Sequence, residues 1–294
     1  MAQFLSGIVL KCVGGFYYVE AADAVYECRA RGIFRKGGIT PVVGDIACIS
    51  VLPDGTGWLE EIGKRRNILV RPPAANLDIL AIVASIVEPE PNTLVMDKMI
   101  SIAEKNDIEP IIVITKSDLQ HTEKLEKIYR SSGFDVFVVS KITGQGIESL
   151  KLRLAGKLSA FSGNSGVGKS SLLNALEPSH ALETGEISQK LGRGRHTTRT
   201  AEIFKLTNGG RIVDTPGFSS IDMERTQRIY KDELGLYFRE FVKYADKCQY
   251  TGCSHTKEHG CAVIEAVKNG GIMPERHENY KIIYNEVRNF KTWN

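Results

Sequence analysis

Residues 161–171 read Phe161-Ser-Gly-Asn-Ser-Gly-Val-Gly-Lys-Ser-Ser171, and the segment 163–170 matches the pattern G-x-x-x-x-G-K-[ST] at every fixed position. An apolar segment, 157–161, precedes the glycines, and residues 170–176 follow with a helical pattern. Glycines let backbone N–H groups turn inward around phosphate oxygens, and the N-terminus of the following helix adds partial positive charge. The stretch therefore predicts a strand, a phosphate-binding loop and a helix, in that order.

Two side chains of this loop have expected roles in phosphate chemistry. Lys169 is expected to reach the β- and γ-phosphates of a nucleotide, and the Ser170 hydroxyl is expected to ligate Mg²⁺. The loop residues expected to bind the nucleotide are Gly163, Asn164, Ser165, Gly166, Val167, Gly168, Lys169, Ser170 and Ser171.

The composition is that of an ordinary globular chain. Of 294 residues, 42% are hydrophobic and 25% are charged, and the net charge of +3 does not by itself indicate a nucleic-acid-binding protein. No run of about 18 apolar residues occurs, and the N-terminus lacks the regions of a secretory signal. Six cysteines in this length do not make a disulfide framework. We expect a cytoplasmic monomer with no membrane segment.

Residues 1–66 form the first predicted domain. They contain short strand-like segments separated by turn residues, at 7–13, 15–20, 25–31, 45–51 and 57–62. Several short strands in so few residues favour a small closed β-barrel. An OB-fold is the simplest form, and an SH3-like barrel stays open as the alternative.

A basic stretch, 29–36, lies between two of these strands and has an aromatic residue but no acidic residue within it. Basic residues interleaved with an aromatic suit contacts with an RNA backbone and a stacked base, although an ordinary solvated loop has a similar composition. The candidate RNA-binding residues are Arg29, Arg31, Phe34, Arg35 and Lys36.

Residues 67–221 form the second predicted domain. After a charged and proline-containing boundary at 64–73, apolar segments alternate with helical patterns. The apolar segments are 77–87, 110–115 and 134–139, and the helical ones are 94–106, 121–131 and 146–155. Strands that are apolar on both faces and separated by helices predict a doubly wound α/β domain.

Two short motifs follow predicted strands, at the carboxyl ends where such sheets bind ligands. Thr115-Lys-Ser-Asp118 resembles the [NT]-K-x-D base-specificity motif of GTPases. A carboxylate there accepts from both N1–H and the amino group of guanine, a donor pair that adenine lacks, while the lysine lies along the base. After the next strand, Ser140 and Lys141 resemble the S-A-K element, in which a backbone N–H donates to guanine O6. The expected guanine-site residues are Thr115, Lys116, Ser117, Asp118, Ser140 and Lys141.

The switch motifs follow the phosphate-binding loop. Asp214-Thr-Pro-Gly217 comes after a predicted hairpin and matches the D-x-x-G motif of a second switch. Asp214 is expected to hold Mg²⁺ through water, and the N–H of Gly217 to bind the γ-phosphate. The segment 192–200 occupies the place of the first switch, where Thr197 and Thr198 are candidates to close over Mg²⁺ and the γ-phosphate.

The residue after the D-x-x-G motif is Phe218, where Ras-like GTPases have a water-orienting glutamine. Because phenylalanine cannot orient water by hydrogen bonding, we expect the catalytic centre to be incomplete and slow by itself. His196 is the nearest polar candidate to complete it, and a role limited to RNA contact is the alternative.

Residues 222–294 form the third predicted domain. Amphipathic helical patterns cover 227–244, 262–268 and 275–293, and a cluster with the spacing C-x₄-C-x-H-x₅-C follows the first of them. Three thiols and one imidazole match a closed Cys₃His structural zinc site, and a cluster of free thiols is the alternative. The candidate ligands are Cys248, Cys253, His255 and Cys261, and His259 is a spare histidine.

The order of the motifs is unusual. An ordinary small GTPase begins with the phosphate loop and ends with the guanine motifs, whereas here the motifs at 115 and 140 precede the loop at 163. Joining the usual termini and cutting after the second switch would give the same sheet. Over essentially its whole length, the chain resembles the circularly permuted GTPases of small-ribosomal-subunit maturation, the RsgA/YjeQ/YloQ family.

This resemblance implies an enzyme that hydrolyses GTP to GDP and phosphate, is stimulated by the small ribosomal subunit and its rRNA, and acts in late 30S maturation. It implies one structural Zn²⁺ per chain, with His255 as the histidine ligand, and Mg²⁺ bound with GTP. Lys141 replaces an alanine that is common in the family, which changes little because a backbone amide is used there.

Two other functions stay open from the residues alone. One is a non-enzymatic, guanine-nucleotide-dependent RNA-binding module, against which Lys169, Ser170 and Asp214 argue. The other is a signalling GTPase with a protein partner, which the barrel and the cysteine cluster disfavour.

Overall fold

A computed structural model describes residues 3–32, 34, 39–70, 73–178, 201–214 and 227–290. The chain divides into two compact units, each assembled from separate stretches of sequence. The first unit comprises residues 1–79, 151–161 and 183–216, and the second comprises 80–150, 162–182 and 217–294. No helix in the described part of the chain has both the length and the apolar character needed to cross a membrane.

A closed five-stranded barrel forms the N-terminal part of the first unit. Its strands are β1 (Gln3–Val13), β2 (Phe16–Ala21), β3 (Ala24–Ala30), β4 (Ile46–Val51) and β5 (Gly57–Ile62). The hydrogen-bonded order is β1-β2-β3-β5-β4, and β1 also pairs with β4, which closes the barrel. Only β3 and β5 run parallel among these pairs. The predicted OB-type barrel is confirmed.

Alternating side chains fill the barrel interior. Val9, Val19, Ile49 and Leu59 are fully buried, while the residues next to them in sequence are exposed or half-buried, except for the buried Ser50. Gly57 makes close strand packing possible, because a Cβ atom there would lie 2.9 Å from the Cys28 sulfur. The apolar alternation seen in the sequence therefore decides which face of each strand is turned to solvent.

The central part of the chain alternates strands and helices. In chain order, these are β6 (Ile68–Leu69), β7 (Ala74–Ala75), β8 (Ile79–Ser85), α1 (Thr93–Lys105), β9 (Glu109–Thr115), α2 (Glu123–Ser131), β10 (Val136–Val138), α3 (Ile147–Leu154), β11 (Leu158–Ser162), α4 (Lys169–Leu176), β12 (Glu202–Lys205) and β13 (Arg211–Asp214). Every residue of β8 is buried, as the apolar segment 77–87 predicted. In the second unit, β9 pairs with β8 and, in parallel, with β10.

The first unit also joins nucleotide-motif strands to the barrel. β11, which precedes the phosphate loop, runs parallel to β13, and β13 forms the predicted hairpin with β12. β12 pairs in turn with β1 of the barrel, where Lys11 and Glu202 form an ion pair of 2.8 Å. Glu20 of β2 accepts hydrogen bonds from Lys205 and Arg211 of the hairpin.

The C-terminal region is mostly helical. It contains a 3₁₀ helix, Leu234–Tyr237, followed by α5 (Arg239–Ala245), α6 (Ala262–Lys268) and α7 (Pro274–Val287). The expectation of one continuous helix over 227–244 is wrong. Glu233 caps a turn instead, because its carboxylate accepts from the Tyr230 amide at 2.8 Å and from the Tyr237 hydroxyl at 3.0 Å.

A buried arginine fastens α7 to α1 and α5 within the second unit. Arg276 is fully buried and contacts the carboxylates of Asp97 at 2.5 Å and Glu240 at 2.7 Å. Its guanidinium also lies 4.5 Å from the centre of the Phe238 ring. Burial acts to lower the pKa of Arg276, but the two carboxylates outweigh it and raise that pKa.

Candidate functional site

The phosphate loop packs against β8 through a glycine. Gly163 has a φ of 155°, and a Cβ atom there would lie 2.2 Å from the carbonyl oxygen of Val83. Gly168, with a φ of 95°, is the residue preceding α4. Both positions require glycine, so the fixed glycines of the motif have separate steric reasons here. The helix N-terminus then follows the loop directly, which favours bound anions.

A buried threonine ties the first guanine motif to the phosphate loop. Thr115, the last residue of β9, donates from Oγ1 to the carbonyl oxygen of Val167 at 2.6 Å. The next residue, Lys116, has a φ of 60° and donates from Nζ to the carbonyl oxygen of Glu88. The T-K-S-D motif is therefore held by the loop on one side and by the segment after β8 on the other.

The second guanine motif meets the first at an aspartate. Ser140 is fully buried and donates from Oγ to the Asp118 carboxylate. The same hydroxyl oxygen accepts from the amides of Ile142 at 3.1 Å and Thr143 at 3.2 Å. One carboxylate oxygen of the exposed Asp118 is thus fixed by Ser140, and this orients a planar acceptor toward solvent, as recognition of a base edge requires.

Two lysines lie beside the loop backbone. The Lys169 ammonium donates to the carbonyl oxygens of Gly163 at 2.6 Å and Asn164 at 2.7 Å, which keeps its charge next to the phosphate loop. Lys141 donates to Ser171 Oγ at 3.4 Å, so the side chain after Ser140 meets the first turn of α4. The loop, T-K-S-D and Ser140 motifs, which lie far apart in sequence, come together in the second unit.

Other predicted site residues lie outside the described part of the chain. Those are His196, Thr197, Thr198, Gly217, Arg35 and Lys36. Asp214 is the last residue of β13, so its motif begins where that strand ends.

The four predicted metal ligands form one cluster. The ligand atoms of Cys248, Cys253, His255 and Cys261 all lie within 4.8 Å of one another. The sulfurs of Cys248 and Cys261 are 3.8 Å apart, and His255 Nδ1 is 3.6 Å and 3.5 Å from them. Tetrahedral zinc bonds of about 2.3 Å to sulfur and about 2.0 Å to nitrogen place ligand atoms roughly 3.5–3.8 Å apart. The separations among Cys248, His255 and Cys261 match this spacing, and Cys253 completes a set that is compatible with zinc. His259 is not in the cluster.

The histidine of this cluster is held by the surrounding chain. His277 Nε2 lies 2.7 Å from the carbonyl oxygen of His255. The Phe241 ring lies edge-on to the His255 ring, with 6.0 Å between the two ring centres. Burial lowers the pKa of His255, which favours the neutral imidazole that ligates a metal. Partial burial acts to raise the pKa of Glu258, but hydrogen bonds from Ser254 and nearby amides lower it to about 2.

The barrel places the described basic residues in different surroundings. Arg29 is exposed on β3, whereas Arg31 forms an ion pair of 2.7 Å with Glu60. Phe34 is partly buried and packs against the barrel core. These partners were not evident from the sequence, because Glu60 lies on a strand distant from the basic stretch.

Several contacts were missed by reasoning from the sequence. The backbone carbonyl of Glu88 accepts a hydrogen bond from Lys116. No sequence pattern marks this acceptor, because every residue has a backbone oxygen. The Ser140–Asp118 hydrogen bond unites two motifs that had been assigned separate roles. Among the described residues, Asn164 Oδ1 is buried without a partner, which leaves a loop acceptor for a ligand.

The fold and the site define a phosphate-loop GTPase with circularly permuted motifs. Comparisons with known proteins agree with this class. A model of the RsgA GTPase family matches residues 62–224, and a model of the RsgA N-terminal domain matches residues 6–59. The chain belongs to the RsgA GTPase family, and it is a GTP-hydrolysing enzyme.

Similar proteins cover nearly the entire chain. The small ribosomal subunit biogenesis GTPase RsgA of Caldanaerobacter subterraneus subsp. tengcongensis is 45% identical over 287 residues, spanning 97% of this chain and 96% of that protein. The Bacillus subtilis protein of the same name is 41% identical over 296 residues, with coverages of 97% and 98%. The crystal structure of YjeQ from Thermotoga maritima superimposes with a TM-score of 0.83 at 36% identity, covering 98% of this chain and 100% of that one. YloQ, described as a circularly permuted GTPase, gives a TM-score of 0.80 at 36% identity, with coverages of 99% and 98%.

Proposed function

We propose that this protein is a ribosome-associated GTPase that acts in late maturation of the small ribosomal subunit. The observation that carries the proposal is the convergence of the phosphate loop with Thr115, Asp118 and Ser140 in one nucleotide site. The family relatives are named for small-subunit biogenesis, which supports the same role for this chain.

In this proposal, guanine recognition is the task of the two joined motifs. Asp118 accepts from the base, Lys116 lies along it, and the backbone N–H of Lys141 donates to O6. The loop N–H groups and Lys169 bind the phosphates, while Ser170 ligates Mg²⁺. Because Ser140 holds one Asp118 oxygen, the carboxylate is oriented before the base binds.

Hydrolysis requires a positioned water, and Phe218 cannot supply the hydrogen bond for it. We therefore propose that binding to the small subunit completes the catalytic centre, with His196, Thr197 and Thr198 as the first-switch residues involved. Asp214 and Gly217 would supply the second-switch contacts to Mg²⁺ through water and to the γ-phosphate.

The remaining regions have binding and structural roles in this proposal. The barrel domain, 1–66, contacts rRNA through the basic stretch 29–36, the GTPase domain covers 67–221, and the zinc-binding domain covers 222–294. One Zn²⁺, held by Cys248, Cys253, His255 and Cys261, closes the cysteine-rich loop; its filled coordination makes it a structural ion. We also propose that the protein works as a cytoplasmic monomer.

The test is GTP turnover measured with small subunits, large subunits or neither. We expect small subunits at low salt to accelerate phosphate release by about 10³-fold, the lower end of what a group supplied in trans contributes in other GTPases. His196→Ala should still bind the small subunit in the GTP state but lose the acceleration. Equal turnover under all three conditions would leave a non-enzymatic RNA-binding module with bound nucleotide as the better description.

A further inference from the structure

A continuous row of side chains crosses all five strands on the outer wall of the barrel. Strand register places Phe4 opposite Ser50, and Ser50 opposite Trp58. Trp58 lies beside Arg29, and Arg29 lies opposite Phe16. Residues paired in this way project from the same face of a sheet and contact one another.

The row faces solvent except at Ser50, which is buried beneath its neighbours. Phe4 is 65% exposed and Trp58 is 37% exposed, and Arg29 is exposed as well. Cys28 and Leu59, the neighbours of Arg29 and Trp58 in sequence, are fully buried in the barrel interior. These aromatic rings are therefore on the outer wall because of strand alternation and are not displaced parts of the core.

The charge along the row is positive. The Arg29 guanidinium lies 4.9 Å from the centre of the Phe16 ring, a cation–π contact that keeps the charge beside an aromatic face. Within the row itself there is no acidic residue. Beside the row, the Glu60 carboxylate forms an ion pair with Arg31 and accepts a hydrogen bond from Ser50 Oγ.

A second carboxylate marks one border of the row. Glu27, two positions before Arg29 on β3, accepts a hydrogen bond from the Tyr18 hydroxyl at 2.9 Å. The opposite direction along β3 leads to Arg31, whose charge is offset by Glu60. A polyanion is therefore favoured over Arg29 and disfavoured across Glu27.

We propose that Trp58, Arg29 and Phe16 form a base-stacking surface for single-stranded RNA. Trp58 is exposed and Phe16 is half-buried, with the cation of Arg29 between them. Aromatic rings flanking a cation suit successive bases and their phosphates, and this mode tolerates any sequence. A protein partner would bury the same rings, but the absence of acidic residues from the row favours the polyanion. The inference rests on the proposed rRNA contact, and it assigns stacking to Trp58 and Phe16 rather than to Phe34, which packs against the core.

The two tryptophans of the chain, Trp58 and Trp293, allow a direct test. In full-length protein carrying Trp293→Phe, Trp58 is the single tryptophan, and excitation above the tyrosine absorption band reports on it selectively. An oligouridylate of about 12 nucleotides, whose bases do not stack strongly on one another, is titrated at low salt. We expect saturable quenching of Trp58 by this RNA and none by inorganic polyphosphate of equal charge, because only the RNA offers bases.

Variants separate stacking from charge and from barrel stability. Trp58→Leu, which keeps an apolar side chain but removes the ring, should weaken binding of a labelled oligouridylate by about ten-fold, within the range for loss of one stacked base. Trp58→Phe should retain most of the affinity. Val25→Ala, which changes an exposed apolar residue on the same face of β3 away from the row, should bind as the unmodified protein does.

The outcomes distinguish this inference from the proposed function. If the labelled RNA binds but Trp58 is not quenched, or Trp58→Leu binds normally, the stacking surface is wrong, whatever small subunits do to GTP turnover. Equal quenching by polyphosphate would also overturn it, since the signal would then report charge. Unchanged GTP turnover with small subunits, together with quenching by RNA, would reject the proposed function and keep the stacking surface.

Discussion

The Thr115 hydroxyl donates a hydrogen bond of 2.6 Å to the carbonyl oxygen of Val167, although 52 positions separate the two residues in sequence. The bond joins the first residue of the T-K-S-D motif to the phosphate loop. In this chain the T-K-S-D motif precedes the phosphate loop, which reverses the order found in an ordinary small GTPase. The two motifs nevertheless come into contact in the folded structure. The contact shows that the T-K-S-D motif and the glycine-rich loop lie side by side in the fold although they are distant in the sequence.

Asp118→Asn should shift the base preference from guanine toward xanthine. The substitution replaces an acceptor with a donor, and xanthine presents an oxygen where guanine has its amino group. We expect GTP affinity to fall by about 10²-fold, as the loss of two hydrogen bonds to a charged acceptor implies. Competition between GTP and XTP measures this, with Ser140→Ala as a comparison that should lower affinity without changing the preference. Full retention of GTP preference in Asp118→Asn would place the base elsewhere.

Lys169→Ala and Ser170→Ala should each lower GTP turnover by about 10²-fold or more, because they remove phosphate and Mg²⁺ contacts that develop in the transition state. Single-turnover phosphate release measures the effect. Lys127→Ala, an exposed lysine on α2, is the matched control for loss of charge. Normal turnover in either loop variant would contradict the assignment of the phosphate loop.

His255→Ala should reduce zinc affinity by about 100-fold or more, whereas His259→Ala should retain one zinc per chain. The reason is that, of these two histidines, His255 lies with the three thiols and His259 does not. Elemental analysis of the reduced proteins after dialysis against a chelator of graded concentration measures how tightly each variant retains zinc. Chelation should also speed hydrogen exchange in 227–290, because closed zinc sites contribute to folding. Equal zinc content in the two variants would exclude this ligand set.

Arg276→Met should destabilise the second unit by about 3–5 kcal/mol. Its removal leaves the buried carboxylates of Asp97 and Glu240 without their cation, which costs far more than breaking an exposed pair. Urea unfolding followed in the C-terminal region measures the change. Lys268→Met, which breaks an exposed pair with Glu265, should cost less than about 1 kcal/mol. Similar midpoints for the two variants would contradict the importance of the buried cluster.

Glu20→Gln should destabilise the first unit at neutral pH by about 1 kcal/mol, and the difference should vanish in acid. Partial burial acts to raise the pKa of Glu20, but hydrogen bonds from Lys205 and Arg211 outweigh it and lower that pKa. Because the pKa of Glu20 is lower in the folded state, its ionised carboxylate stabilises the folded protein at pH values above its unfolded pKa of 4.5. This stabilisation is lost as the pH falls through the folded pKa. Thermal unfolding across this range tests the sign, with Glu61→Gln, an exposed residue of β5, as the control. A difference that grows in acid would refute it.

The sequence by itself determined the local chemistry of this protein. Gly163, Lys169 and Ser170 predict phosphate binding because a phosphate-binding loop is one continuous segment that needs these residue types at this spacing. The cysteine cluster is equally local, since Cys248 to Cys261 lie within a short segment. Strand alternation likewise predicted a small barrel, because period-two burial is encoded in neighbouring residues.

Only the tertiary structure decided which distant groups complete these sites. The carbonyl of Glu88 receives Lys116, and Glu60 pairs with Arg31, yet backbone oxygens and isolated glutamates carry no recognisable pattern. The helix expected over 227–244 failed because Glu233 forms long-range and capping contacts that override local periodicity. Likewise, Trp58 meets Arg29 only through strand register, which is fixed by the closure of the barrel and not by either strand alone.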